Sequence, residues 1–305
     1  MPESDAHSPA PLPRPLAALS RLPLSLLYAC GACVAVLAHR VLRYRVGVVR
    51  DNLAGAFPQL EPRARRVLER TYYRRLGELA AEVLKAPTLA PQELTARVRL
   101  AGLERLRAEL AAGRCVLVVA AHQCNWEWLL LGLSLQLGYP LEAAYKPLHH
   151  ARGERWMQSL RTRFGSRLVP AKELLTSILR RREPRVIAMV ADQEPVTSEY
   201  KWWTRFLNRS TAFYMGPEKI AQVTRFAVFF AAMRRLERGR YAVTFEPLAA
   251  AREVLPAGAL TERYARAVEA QISAAPADWT WSHRRWKLRR PVYAAAADPL
   301  DQGHP

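Results

Sequence analysis

The residues best suited to chemistry lie together in Ala121-His-Gln-Cys-Asn-Trp-Glu-Trp128. An imidazole exchanges its proton near neutral pH, and the segment sets His122 five positions before a carboxylate, Glu127. On a continuous helix such a pair points about 140° apart. The two meet only if His122 precedes the helix. Asn125 favours that arrangement as the cap of a helix starting at Trp126, which leaves His122 in the turn before it. Glu127 is then expected to hold one imidazole nitrogen while the other acts as a general base. The base would take a proton from a hydroxyl as that oxygen attacks a thioester carbonyl. On spacing alone, a His near a Glu is more often a structural histidine at a strand end. Cys124 offers a nucleophile with His122 as its base, but partners this close in sequence make that geometry awkward.

A second cluster follows a later apolar run. Ala191-Asp-Gln-Glu-Pro195 should bring Asp192 and Gln193 to the same rim, although an aspartate there also suits a cap or turn. Tyr200-Lys-Trp-Trp-Thr-Arg-Phe206 reads as an aromatic and basic loop fit for an interface between acyl chain and phosphate. Metal chemistry finds little support, because there is no His-Glu-x-x-His helix and the remaining histidines are scattered. Cys30-Gly-Ala-Cys33 has metal or redox spacing, yet no second pair completes a site and it lies inside an apolar run. No metal and no cofactor is expected.

The elements that must position these groups alternate. Cys115-Val-Leu-Val-Val-Ala-Ala121 and Arg185-Val-Ile-Ala-Met-Val-Ala191 are continuous apolar runs rich in β-branched residues, the profile of buried strands in a parallel sheet. His122 and Asp192 follow their ends, where active sites of open α/β sheets gather. Pro62 to Lys85, Leu103 to Ala112, Trp126 to Leu137, 152–164, 172–182, Pro217 to Val223 and Thr261 to Ser273 read as helices. Leu141 to Tyr145, Phe226 to Met233 and Tyr241 to Phe245 read as further strands. The pattern implies an α/β sandwich, and residues 45–295 carry no repeat or linker.

Ahead of this body, residues 1–15 are rich in Pro, Ser and Ala and read as a disordered tail; residues 296–305 read as another tail. Leu22 to Ala38 is an uncharged apolar run, marginal for a bilayer span of about 20 residues. Val41 and Leu42 lengthen it if Arg40 snorkels to the interface. Four arginines (Arg40, Arg43, Arg45 and Arg50) follow the run against two before it, so residues 16–44 are expected to anchor the body on the cytoplasmic side. That dense Arg cluster opposes a cleaved export signal. Overall, 46 Lys and Arg against 27 Asp and Glu give a net charge of +19. The arginines are spread along the chain beside Trp, Tyr and Leu, a distribution that suits a membrane surface better than a compact nucleic-acid module.

Taken in order, these segments resemble the bacterial lipid A biosynthesis acyltransferases of the lauroyl/myristoyl type. The resemblance rests on a strand followed by His-x-x-Asn-Trp-Glu, then Asp-Gln after a later strand. Asp51-Asn-Leu-Ala-Gly-Ala-Phe-Pro58 is similar to that family's opening segment, and Pro276-Ala-Asp-Trp-Thr-Trp-Ser-His-Arg-Arg-Trp-Lys287 to its closing one. It covers about residues 20–291. It implies a mixed central sheet flanked by helices, glycerolipid-acyltransferase-like, over residues 45–295, with an N-terminal membrane helix at the inner membrane. It also implies an acyl carrier protein as donor, a hydroxyl on a hydroxyacyl chain of a lipid A precursor as acceptor, and no covalent acyl-enzyme. His122 and Glu127 take the catalytic positions, and Asn125, Asp192 and Gln193 the substrate side. Lys146 stands where the family has an Arg in a Tyr-Arg-Pro segment, and Cys124 where it usually has Gly. Arg284 and Arg285 are expected to meet precursor phosphates, the anionic leaflet or the carrier protein.

Two other functions use the same features. An acyltransferase for a lysophospholipid, ornithine lipid or pigment would keep the chemistry and change the acceptor. A non-catalytic lipid- or carrier-binding protein would keep only the fold.

Overall fold

The computed structural model describes residues 14–147 and 150–290, so the expected tails lie almost wholly outside the described residues. The strands are β1 (Val98–Ala101), β2 (Val116–Ala120), β3 (Leu141–Tyr145), β4 (Arg167–Pro170), β5 (Val186–Val190), β6 (Lys201–Phe206), β7 (Arg209–Tyr214), β8 (Ala227–Glu237) and β9 (Arg240–Ala249). The helices are α1 (Arg14–Ser20), α2 (Leu24–Val36), α3 (Val46–Ala56), α4 (Pro62–Lys85), α5 (Pro91–Arg97), α6 (Leu103–Ala111), α7 (Trp126–Gln136), α8 (Ala151–Arg161), α9 (Leu174–Arg180), α10 (Gly216–Thr224) and α11 (Ala259–Ala274).

Seven strands form one mixed sheet in the order β1-β9-β8-β2-β5-β3-β4. Only the β8–β9 pair is antiparallel; the other neighbours run parallel. β2 and β5 are central because both faces of the sheet are covered there. Side chains alternate across a strand, and those of β2 divide accordingly. Leu117 and Val119 join the core under α3, α9, α10 and α11. Val116, Val118 and Ala120 join the core under α5, α6 and α7. A strand buried on both sides reads as an unbroken apolar run, which is why its position was plain in the sequence.

β6 and β7 make a separate antiparallel hairpin, where the sequence suggested only a loop over Tyr200–Phe206. Its two-residue turn, Leu207 and Asn208, has positive φ at both positions, 48° and 61°. That is the backbone of a type I′ turn, whose usual signal is Asn-Gly or Asp-Gly. β8 and β9 also extend past the expected spans: Arg234, Arg235 and Glu237 pair with the start of β9, and Glu246, Pro247 and Ala249 with the start of β8.

The apolar N-terminal run forms α2 and continues through a π-turn over Leu37–Val41. Leu24–Val41 is long and apolar enough to cross a membrane, and most of its surface is left uncovered. Leu26, Val34, Val36, Leu37 and Val41 are all exposed. Its covered side lies on α4, where Gly31 and Gly77 meet backbone to backbone. A Cβ on either glycine would run into the other's carbonyl, so the small residues are what permits this close crossing.

Candidate active site

Register brings the central groups together. In the parallel pair β2–β5, Ala120 stands opposite Val190. Two residues beyond each strand end are His122 and Asp192, which therefore leave the sheet side by side. The His122 ring Nδ1 lies 2.6 Å from Asp192 Oδ1, and the His122 backbone N–H donates to Oδ2 at 3.0 Å. The indole N–H of Trp279 donates to Oδ2 as well, at 2.7 Å. Asp192 is almost fully buried. Burial alone would raise its pKa, but the attraction of His122 and the hydrogen bonds from His122 and Trp279 hold the carboxyl below its ordinary value. Asp192 thus stays a carboxylate and accepts from Nδ1–H. Nε2 then faces outward as the acceptor nitrogen, with the Gln193 side-chain N–H 3.3 Å away.

The carboxylate that meets the imidazole is Asp192, whereas Glu127 was expected to hold it. Glu127 belongs to the first turn of α7 and faces a different partner. Arg161, at the end of α8, grips it with both arms, Nε to Oε2 at 2.9 Å and Nη2 to Oε1 at 2.6 Å. Burial tends to discharge the guanidinium, yet the Glu127 pairing outweighs it and raises the Arg161 pKa. Glu127 also accepts from the Trp126 indole at 3.1 Å, and the Trp126 ring stands edge-on to the His122 ring at 5.2 Å. Glu127 is thus one side chain removed from the imidazole.

Asn125 caps α7, its Oδ1 accepting the Trp128 amide at 2.9 Å. It is fully buried, whereas the resemblance set it on the substrate side. Its amide N–H₂ instead donates to Glu82 Oε2 at 2.8 Å. Glu82, in α4, is itself buried and takes the Tyr241 hydroxyl on the same oxygen and the Tyr28 hydroxyl of α2 on the other, at 2.7 and 2.8 Å. A chain of hydrogen bonds therefore runs from the apolar helix to the turn carrying His122.

Cys124 adopts a left-handed backbone, φ 56°, within that turn. Its buried thiol points to the Met233 carbonyl, and burial pushes its pKa far above the ordinary range. A thiol that keeps its proton is a poor nucleophile, so the Cys124 alternative loses its basis.

The closing segment, distant in sequence, braces the same turn. Thr280 donates to the His122 carbonyl from both its backbone N–H and its hydroxyl, at 3.1 and 2.9 Å. The Cys124 amide donates to the Asp278 carbonyl at 2.8 Å, and Gln123 bridges to Trp279. Arg285, expected to meet precursor phosphates, the anionic leaflet or the carrier protein, is buried, its guanidinium 4.6 Å above the Phe213 ring. None of its nitrogens has a hydrogen-bond partner among the described residues. Burial lowers its pKa to about 10, against the pull of Asp192 and Glu194. Arg284, one residue earlier, is exposed, as are Gln193 and Lys146. Lys146 makes no hydrogen bond to His122 or Asp192; it follows β3, while the residues just after Pro147 lie outside the described set. Trp279, Thr280, Arg161 and Glu82 carry the site's geometry, and only the closing aromatic run signalled any of them in the sequence.

No group of three or more His, Cys, Asp or Glu among the described residues is placed to hold a metal ion. The chemistry available to the arrangement is that of a base held by a carboxylate, at the mouth of an α/β sheet and beside an apolar helix.

A match to the family described as bacterial lipid A biosynthesis acyltransferase runs over residues 15–288. A lipid A biosynthesis palmitoleoyltransferase of Escherichia coli K12 is 24% identical over 276 residues, covering 88% of this chain and 87% of its own. A lipid A biosynthesis acyltransferase of Shigella flexneri matches to the same extent. A lipid A biosynthesis lauroyltransferase of E. coli K12 is 22% identical over 271 residues, covering 88% of each chain.

Proposed function

The chain belongs to the bacterial lipid A biosynthesis acyltransferases, and from that premise we propose that it moves a fatty acyl chain from acyl carrier protein to a hydroxyl of a hydroxyacyl chain on a lipid A precursor. The observation that carries the reading is the His122–Asp192 pair at 2.6 Å, with Nε2 turned outward. Nε2 takes the proton of the acceptor hydroxyl as its oxygen attacks the thioester carbonyl. Asp192 holds the ring in the Nδ1–H tautomer and offsets the charge of the imidazolium that forms, as a carboxylate does in a serine-hydrolase triad. The tetrahedral adduct collapses, the C–S bond breaks, and the imidazolium proton passes to the departing thiolate. The products are an ester and a free thiol. No bond to the protein forms, in keeping with a Cys124 thiol that retains its proton.

Glu127 acts one step back in this scheme. Through the Trp126 indole and Arg161 it fixes the wall against which His122 rests. The apolar helix supports a site at the inner membrane. The arginines after the helix support a cytoplasmic body, where acyl carrier protein is found.

The test is turnover by purified full-length protein, with acyl carrier protein bearing chains of several lengths and a tetraacyl lipid A precursor. His122→Ala should abolish product while leaving the circular dichroism unchanged. Unchanged turnover in that variant overturns the mechanism. Turnover confined to a lysophospholipid or another hydroxyl acceptor moves the substrate class, and binding without turnover of any acceptor reduces the chain to a lipid-binding protein.

A further inference from the structure

Apart from the dyad, the molecule carries a cavity of about 660 Å³ between the exit of the apolar helix and the closing segment. Arg43, Arg45 and Asn52 line one side of it, and Arg284, Trp286 and Lys287 the other. We propose that this cavity binds the phosphorylated headgroup of the lipid acceptor, a phosphate monoester on a sugar-sized body lying in the membrane surface. The proposal rests on the acceptor class given above and adds the site that would hold it.

Charge is the first argument. Arg43 and Arg284 have no carboxylate partner among the described residues, although both face the same concavity. Arg45 reaches only a backbone carbonyl, that of Ser282, at 2.9 Å. Lys287 is loosely paired with Glu194 at 3.9 Å. The one carboxylate on the wall, Asp51, is turned toward Arg209 at 3.4 Å. Several arginines elsewhere are committed, as in Arg50 with Glu69, Arg235 with Glu78 and Arg161 with Glu127, while those of this wall share one concavity. Uncommitted guanidiniums converging on one hollow suit the forked recognition of phosphate oxygens.

Position is the second argument. Arg43 stands two residues after Val41, the last residue of the apolar stretch, at the level where headgroups begin if α2 enters the bilayer. The opposite wall belongs to the segment that braces the dyad. Thr280 binds the His122 carbonyl, and the Leu288 amide donates to Glu194, two residues past Asp192, at 2.6 Å. Residues 281–287 therefore run between the cavity and the dyad, so a headgroup held on one side places its acyl chains within reach of the other.

Shape is the third. A hollow of this volume takes a small polar group, whereas a protein partner needs roughly 800 Å² of matching surface.

The experiment uses the full-length protein in detergent micelles, with a phosphorylated tetraacyl disaccharide acceptor and the same lipid after phosphatase treatment. In wild type, kcat/KM for the phosphorylated acceptor should exceed that for the dephosphorylated one at least tenfold. In Arg43→Gln/Arg284→Gln that ratio should fall toward one, mainly through KM. Equilibrium binding of the two lipids to wild type, which needs no turnover, should show the same preference. A ratio near one in wild type, or a ratio unchanged in the variant, overturns the proposal while leaving acyl transfer intact. Preferential binding of the phosphorylated lipid without turnover supports the cavity and sinks the catalytic reading instead. A rise in KM for acyl carrier protein alone would make this a carrier surface. Loss of retention on phosphatidylethanolamine–phosphatidylglycerol vesicles, with the ratio preserved, would make it a membrane contact. Inorganic phosphate binding as tightly as the lipid would reassign it to the free ion. Each of these last three results overturns the headgroup assignment.

Discussion

Asp192 has both oxygens occupied, Oδ1 by the His122 ring and Oδ2 by the His122 amide and the Trp279 indole. Asp192→Asn keeps that shape but replaces an acceptor oxygen with an N–H₂ group that can face Nδ1. The ring then favours the opposite tautomer, with a proton on Nε2. Turnover should fall by about 10³- to 10⁴-fold, as in comparable carboxylate-to-amide changes, with the acceptor KM little altered. Steady-state kinetics on the folded variant check this. His283 makes a second prediction at this scale. Burial first, and then the nearby Arg285 charge, lower its pKa from 6.5 to about 4. The folded state therefore resists a proton that the unfolded chain accepts. Stability from the neutral ring is complete above pH 6.5 and is lost as the pH falls toward 4. The urea midpoint should drop between pH 7 and 5 in wild type, and drop less in His283→Gln.

Among the elements, α2 and α4 depend on a glycine contact more than on apolar bulk. With Gly31 and Gly77 backbone to backbone, Gly77→Leu must push α2 away from its partner helix. Overpacking of this kind costs about 1–3 kcal/mol. It also draws Tyr28 from Glu82, and with it one support of Asn125 and the cap of α7. A lowered Tm in detergent together with reduced kcat is the expected result; a lowered Tm with unchanged kcat would confine the contact to stability. Arg161 and α8 complete the picture from the other side, since the Glu127 pairing ties α8 to the first turn of α7.

At the scale of the whole molecule, the proposed site at a membrane would combine a net charge of +19 with an apolar helix, two components of attachment. Retention on vesicles containing anionic lipid should weaken as salt rises, because surface charges are screened within about 10 Å at 0.1 M. Retention on neutral vesicles should be insensitive to salt. Much of this plan was legible in the sequence: the buried strands, α4, α7 and the apolar helix all announce themselves by apolar periodicity. Asp192 was legible as a residue at the rim, but its partner was not, since strand order and register are properties of the sheet. Proximity in sequence favoured Glu127 instead, and the α7 cap turns that side chain toward Arg161. The β6–β7 hairpin stayed hidden because Lys201–Phe206 lacks a polar–apolar alternation and Leu207-Asn208 is an uncommon pair for its turn.

The bond from Tyr28 to Glu82 bears on how such a protein can be handled at the bench. Trimming the apolar helix to obtain a water-soluble fragment would strip a hydroxyl from an acid sealed in the interior and open the trough over Gly77 to solvent. The piece removed would be a support of the His122 turn through Glu82 and Asn125. Preparations that keep the helix, and supply a detergent or lipid collar for its bare side, are the ones in which the His122 turn retains its shape.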